Sequence, residues 1–242
     1  FGFITGALVT AVIQSSTATI VLTVGLIGAG ILNLRQAVSI VMGANIGTTI
    51  TAQLAALSSF DFGAYAIALA GIGAFIAMLA KKERTKTIGN ALAGFGILFL
   101  GLECMSLAIK SELDGVPVVK EAITAILSSD IVSNGSAAPF ILFALGIVLT
   151  ALVQSSSLIT TIVISLTGAG IIIGAGSEAT SLTNNVLFLI LGSNIGSCVT
   201  ALMSSLGAQT SAKRASVIHL LFNTFGSVIF MILLFVWKDF MQ

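Results

Sequence analysis

The sequence predicts an all-α integral membrane protein built from two inverted-topology repeats, each with a re-entrant helical hairpin and a broken transmembrane helix. Three observations predict it. Of the 242 residues, 57% are hydrophobic and only 8% charged, with a mean hydropathy of +1.14, whereas soluble domains carry about 25% charged residues. One polar frame occurs twice in apolar surroundings, as Thr10-Ala11-x-x-Gln14-Ser15-Ser16-Thr17 and Thr150-Ala151-x-x-Gln154-Ser155-Ser156-Ser157. The charged residues also separate into two opposite sets when the apolar segments are walked as spans.

The duplication runs well past the first frame. The copies stay in step through a Gly-Ala-Gly at 28–30 and 168–170, then differ by the polar stretch Gly174–Asn185. A second pair follows, Gly43-Ala44-Asn45-Ile46-Gly47-Thr48 and Gly192-Ser193-Asn194-Ile195-Gly196-Ser197. This is a duplication of a whole structural unit, not a short solenoid period.

In chain order, Phe1–Ile13 and Ala18–Leu32 flank the first Gln-Ser-Ser. Each is shorter than the ~20 residues a span requires, and Gly-Ala-Gly ends the second arm, where helices stop. A re-entrant hairpin with Gln-Ser-Ser at its tip follows. Gln36–Ser58 is long enough to span, and Gly43 and Gly47 around Asn45 predict a break at its middle. Ala64–Ala80 is a short span. The apolar segment Gly94–Ser106 precedes the second repeat, and no counterpart precedes the first, which predicts a further helix ahead of Phe1. The second repeat then reads as arms Pro139–Val153 and Leu158–Ile173, a broken span Val186–Leu206 and a last span Ala215–Val236, with Trp237 as an interfacial anchor. The expected division is repeat one over 1–87 and repeat two over 88–242, with an extracytoplasmic loop at about 110–138. Within that loop Val116–Leu127 is expected as a short surface helix, and Asn134-Gly135-Ser136 has the form of a glycosylation sequon.

Charge orients the chain. With Lys81, Lys82, Arg84 and Lys86 inside, the walk puts Arg35, Lys213 and Arg214 on the same side, seven of the ten basic residues. It puts Asp61, Glu112, Asp114, Glu121, Asp130, Glu178 and Asp239 outside, seven of the nine acidic ones. That agrees with the positive-inside rule. The two hairpins then enter from opposite faces, as in the inverted repeats of secondary transporters. The net charge of +1 gives no field for nucleic acid. Cys104 and Cys198 are too few for a zinc quartet, and both lie in apolar segments, which disfavours a disulfide.

Hydroxyls in membrane helices ordinarily bond the backbone or knit helices together. A Gln beside three hydroxyls is costly in hydrocarbon without partners, and its symmetric repetition points to one shared polar site. Hairpin tips present helix N-termini, which favour anions. The oxygens of hydroxyls, amides and freed carbonyls suit sodium. The chemistry is that of an oxyanion with co-bound cations. Glu103, within an apolar helix, reads either as a buried functional carboxylate or as an interfacial one. His219 and Asn223, one turn apart, are expected mainly to join helices. Cys198 stands where repeat one has Thr49, so that slot does not demand oxygen.

These paired motifs resemble the sodium-phosphate cotransporter family, the animal type II transporters and their bacterial relatives. Gly94–Ser106 resembles the bacterial linking segment, and Lys213-Arg214-Ala215 with His219 and Phe222-Asn223 resembles its later helix. The resemblance implies a non-enzymatic, sodium-coupled symporter of inorganic phosphate in the cell membrane, working by alternating access. Matched by position, it places phosphate at Gln14, Ser15, Ser16, Asn45, Gln154, Ser155, Ser156 and Asn194. It places sodium, the only metal, at Gln14, Ser16, Thr17, Thr48, Thr49, Gln154, Ser156, Ser157, Ser197 and Thr200. The expected partners are phosphate, sodium and lipid; a homo-oligomer stays open. The alternatives are another oxyanion, phosphate export and, distantly, an intramembrane serine hydrolase, for which His219 is the only histidine available as a base.

Overall fold

The computed structural model describes residues 1–57, 63–110, 137–168 and 179–236. Asp61, the greater part of the 110–138 loop with its expected surface helix and sequon, the second Gly-Ala-Gly beyond Gly168, Glu178 and Trp237 to Gln242 lie outside these residues. The described residues are all-helical. In order the helices are α1 (Gly2–Ile13), α2 (Ser16–Gly28), α3 (Leu34–Gly47), α4 (Thr49–Leu57), α5 (Gly63–Leu79), α6 (Glu83–Lys110), α7 (Ala138–Val153), α8 (Ser156–Gly168), α9 (Ala179–Gly196), α10 (Cys198–Ser204) and α11 (Thr210–Val236). Leu34–Ala56, Glu83–Cys104, Val186–Ser204 and Thr210–Val236 are long and apolar enough to cross a membrane. The segment at Ala64–Leu79 is a shorter apolar helix. The chain is a multi-pass membrane protein, and its many exposed Ile, Leu and Phe side chains are those of a surface facing lipid.

Helix α1 lies directly on α3. A Cβ at Gly6 would overlap the Ile40 carbonyl, one at Gly43 the Phe3 carbonyl, and one at Gly47 the Ala7 carbonyl. These contacts advance along both helices together, so α1 and α3 run parallel, and α2 must carry the chain back between them. The same contacts recur in the second half: Gly146 meets the Leu189 carbonyl, Gly192 that of Phe143, and Gly196 that of Ile147. Small residues let membrane helices approach backbone to backbone, and here they do so twice with one pattern.

The glycines around Asn45 therefore serve close packing, and α3 runs unbroken through Asn45. The expected break falls later, at Thr48, and in the second half at Ser197. Both residues keep right-handed helical angles, φ −63° in each, so the helix is interrupted without being unwound. The local cause is side-chain competition for carbonyls. Thr49 Oγ1 donates to Ile46 O (2.7 Å), and Ser197 Oγ donates to Asn194 O (2.7 Å).

Helix α2 ends as expected at Gly30, the one glycine with a left-handed backbone among the described residues, φ 73°. Gly30 N–H bonds Ile27 O, and Ile31 N–H bonds Leu26 O, a Schellman close. Asn33 then caps α3 through a reciprocal capping box with Gln36; such caps stabilise by about 1 kcal/mol.

A core of Ile20, Val24, Ile27, Ala37, Val41, Ala44, Ala201, Ala212 and Ala215 joins α2 and α3 to α10 and α11. Helix α8 in turn packs on α4. Each returning arm thus rests on the helix that follows the break of the other half. Helices α5 and α6 form an antiparallel pair, with Gly73, Gly89 and Gly96 against backbone of the facing helix; α8 packs on α6.

Candidate functional site

The two Gln residues share one unusual backbone. Gln14 and Gln154 both adopt φ 59°, ψ 25° at the C-terminus of α1 and α7, and no other non-glycine described residue has a positive φ. Each N–H returns to the preceding motif threonine, at Thr10 O and Thr150 O, 2.7 Å in both. This left-handed slot at a helix end is where glycine is the default. An L-residue there costs about 1–2 kcal/mol, so a side chain is kept at an energetic loss, twice.

The following serines begin the returning helices. Ser15 Oγ accepts from Ala18 N (3.1 Å) and Ser155 Oγ from Leu158 N (3.3 Å), the N-cap geometry. Ser15 and Ser155 are thereby engaged as caps. Ser16, Thr17, Ser156 and Ser157 sit half-buried in the first turns, and their hydroxyls make no hydrogen bond among the described residues. Hydroxyls and N–H groups therefore gather at each helix start.

The halves differ in how their side chains are satisfied. Gln14 is half-buried; its Oε1 accepts from Thr51 Oγ1 (2.8 Å) and its Nε2 donates to Ala11 O. Gln154 is exposed, and Thr200, at the position matching Thr51, has a buried hydroxyl with no partner. Thr10 Oγ1 donates to Thr19 Oγ1 (3.0 Å). Thr150, its counterpart, is equally buried, but its hydroxyl has no partner because Ile159 replaces Thr19.

Asn45 is half-buried, and its Oδ1 lies 3.4 Å from His219 Nε2; Asn194 is exposed. His219 on α11 is 1% exposed and also lies 3.8 Å from Cys198 Sγ. Asn223 Nδ2 donates to that sulfur (3.3 Å) and to His219 O (3.1 Å). Asn45 Nδ2 and His219 Nδ1 are buried without partners. His219 thus joins the helices of the two halves, as expected, and neither motif serine is among its partners. The Asn45–His219 link itself was not legible in sequence; the only signal was a lone histidine in an apolar helix.

Thr48 and Thr49 bond carbonyls at the end of α3, Ala44 O and Ile46 O, and Ser197 bonds Asn194 O. Cys198 is buried whereas Thr49 is exposed, so the two positions share register but not environment. Glu103 is half-buried on α6.

Fold and site define a multi-pass helical membrane protein with a duplicated motif of polar turns and helix interruptions. A model of the Na+/Pi-cotransporter family matches residues 1–107. The chain is 29% identical over 224 residues to the uncharacterized protein YqeW of Bacillus subtilis, covering 93% of this chain and 66% of that protein. It is 31% identical over 229 residues to the putative inorganic phosphate export protein YjbB of Escherichia coli K12, covering 94% of this chain and 38% of that protein. Over 56 residues it is 43% identical to the human sodium-dependent phosphate transport protein 2B, covering 23% of this chain and 8% of that protein. The first 107 residues are thus similar to the Na+/Pi-cotransporter family, and the relatives named for phosphate transport point the same way. It spans less than two thirds of the length of these relatives. No solved structure matches it.

Proposed function

We infer that the chain is the membrane core of a sodium-coupled inorganic phosphate symporter of the cell membrane, working by alternating access. The observation that carries this reading is the pair of left-handed glutamines, Gln14 and Gln154, each kept where glycine is the less strained choice. Strained backbone at a polar turn is kept where the side chain has a task.

In this reading each α1–α2 and α7–α8 pair is a re-entrant hairpin, and the repeats, 1–87 and 88–242, are inverted. Phosphate binds between the tips through Gln14, Ser15, Ser16, Asn45 and their counterparts Gln154, Ser155, Ser156 and Asn194. The serines that cap the returning helices orient first-turn N–H groups toward the anion. Sodium takes oxygens of Gln14, Ser16, Thr17, Thr48 and Thr49, and of Gln154, Ser156, Ser157, Ser197 and Thr200. No Lys or Arg lies within the motifs, so the anion's charge is balanced by co-bound cations, which is the physical source of coupling. The crosswise packing of each returning arm on the other half supports a single site shared by both tips.

The test is phosphate uptake into proteoliposomes with an inward sodium gradient. Uptake should need sodium and saturate with phosphate; uptake indifferent to sodium overturns the coupling. Export is a second reading, favoured by the name of the YjbB relatives. Phosphate-loaded vesicles that empty faster than they fill under the same gradient would select it.

A further inference from the structure

The start of α3 and the first three turns of α11 meet around an open cleft of about 300 Å3, lined by Leu34, Thr210, Lys213, Arg214, Val217 and Ile218. Beside it Gln209 Nε2 donates to Gly28 O (2.9 Å), tying the start of α11 to the end of α2. Leu34, Val217 and Ile218 make an apolar floor, extended by the aliphatic stems of Lys213 and Arg214. Both basic residues are exposed, and such side chains lay their stems on apolar surface while the charge stays in water. Arg35, also exposed, follows Leu34 at the same helix end. Neither α3 nor α11 carries a carboxylate, so the helices that bear these three cations supply no counter-charge.

The depth of the cleft follows from length. Helix α11 has 27 residues, about 40 Å at 1.5 Å per residue, against a hydrocarbon core of ~30 Å. Its apolar run continues to Val236, so the turn bearing Lys213 and Arg214 stands at headgroup level. An apolar floor below a cationic mouth at that level matches a molecule with an acyl chain and a negative head. A zwitterionic lipid carries no net charge for the mouth, and a free phosphate has no use for the floor.

We propose that this cleft is a binding site for an anionic phospholipid, with an acyl chain on Leu34, Val217 and Ile218 and the headgroup phosphate at Lys213 and Arg214. The site is separate from the glutamine turns and does not depend on the transported ion.

The experiment is native mass spectrometry of the full chain in detergent, titrated with phosphatidylglycerol or phosphatidylcholine of equal chain length. Phosphatidylglycerol should be retained about 25-fold more strongly, from two surface cations at about a factor of five each. K213Q/R214Q should lower it to the phosphatidylcholine level, while K81Q/K82Q, altered away from the cleft, should leave it unchanged. V217W, which fills the floor and keeps the charges, should also weaken retention. Equal retention of the two lipids, or full retention by K213Q/R214Q with an unchanged melting temperature, overturns the proposal. Displacement by glycerol phosphate at equal concentration also overturns it, assigning the cations to a free phosphate ester.

Discussion

The two glutamine turns share one backbone and differ in their side-chain economy. Around Gln14 the polar groups close on one another: Thr51 holds its carbonyl oxygen, Ala11 takes its amide, and Thr10 pairs with Thr19. Around Gln154 the matching threonines, Thr150 and Thr200, have no partners, and the glutamine itself is exposed. Duplication preserved the scaffold, and a single replacement, Ile159 for Thr19, released a hydroxyl. Equal backbones thus carry unequal hydrogen-bonding capacity, and the two orphaned threonine hydroxyls lie in the second half.

The largest expected effect tests what the halves share. Gly43→Val and Gly192→Val each drive a side chain into a facing carbonyl and should cost about 3 kcal/mol or more, leaving little folded protein on size-exclusion chromatography. If one variant folds normally, its half does not have the backbone contact described here.

Next come the glutamines. Gln14→Gly and Gln154→Gly relieve left-handed strain, so each should gain about 1 kcal/mol from this term, less in Gln14→Gly, which also forfeits the Thr51 bond. Both should lose phosphate uptake in proteoliposomes. A variant with normal uptake removes its turn from the proposed site. A destabilised Gln154→Gly would show that Gln154 is kept for folding.

The threonines separate the halves. Thr51→Val strips Gln14 of a partner and should cost about 1 kcal/mol in a thermal melt. Thr200→Val removes a buried hydroxyl that has no partner and should be neutral or slightly stabilising, while the sodium concentration needed for half-maximal uptake rises several-fold. Equal melting shifts for the two variants would erase the contrast between the halves.

The smallest expected effect comes from repairing the second half. Ile159→Thr supplies the partner Thr150 lacks and offsets its own lost apolar burial with one hydrogen bond, about 0.5–1.5 kcal/mol. A melting temperature within a few degrees of wild type is expected, against a clear loss for Thr19→Ile. Equal losses in both would mean that Thr150 gains nothing from the new hydroxyl.

Much of this was legible in sequence because it rests on periodic or repeated residues. Composition fixed the solvent as lipid, the Gln-Ser-Ser frames located both turns, and Gly28-Ala29-Gly30 marked the end of α2. Other features required three dimensions. Gly43 and Gly47 read equally well as a helix break or as a close-packing face, since both need a missing Cβ; only the facing carbonyls of Phe3 and Ala7 decide. The break at Thr48 depends on hydroxyls competing for carbonyls one turn back, which many helices tolerate without interruption. The Asn45–His219 contact joins residues far apart in the chain, and no local pattern encodes it. The orphaned Thr150 shows only when position 159 is compared with its symmetry mate.

The glycine contacts also have a mechanical meaning. Where backbone meets backbone, one helix cannot slide past its neighbour, because each carbonyl sits in a notch one residue wide. The pairs α1–α3 and α7–α9 are therefore rigid struts, each moving as a unit. Any large rearrangement of the protein must be taken up at seams lined by ordinary side chains, such as those where α2 meets α10 and α8 meets α4. The motif serines begin α2 and α8, the helices at these seams, whereas Gln14, Asn45 and their counterparts stay with the struts.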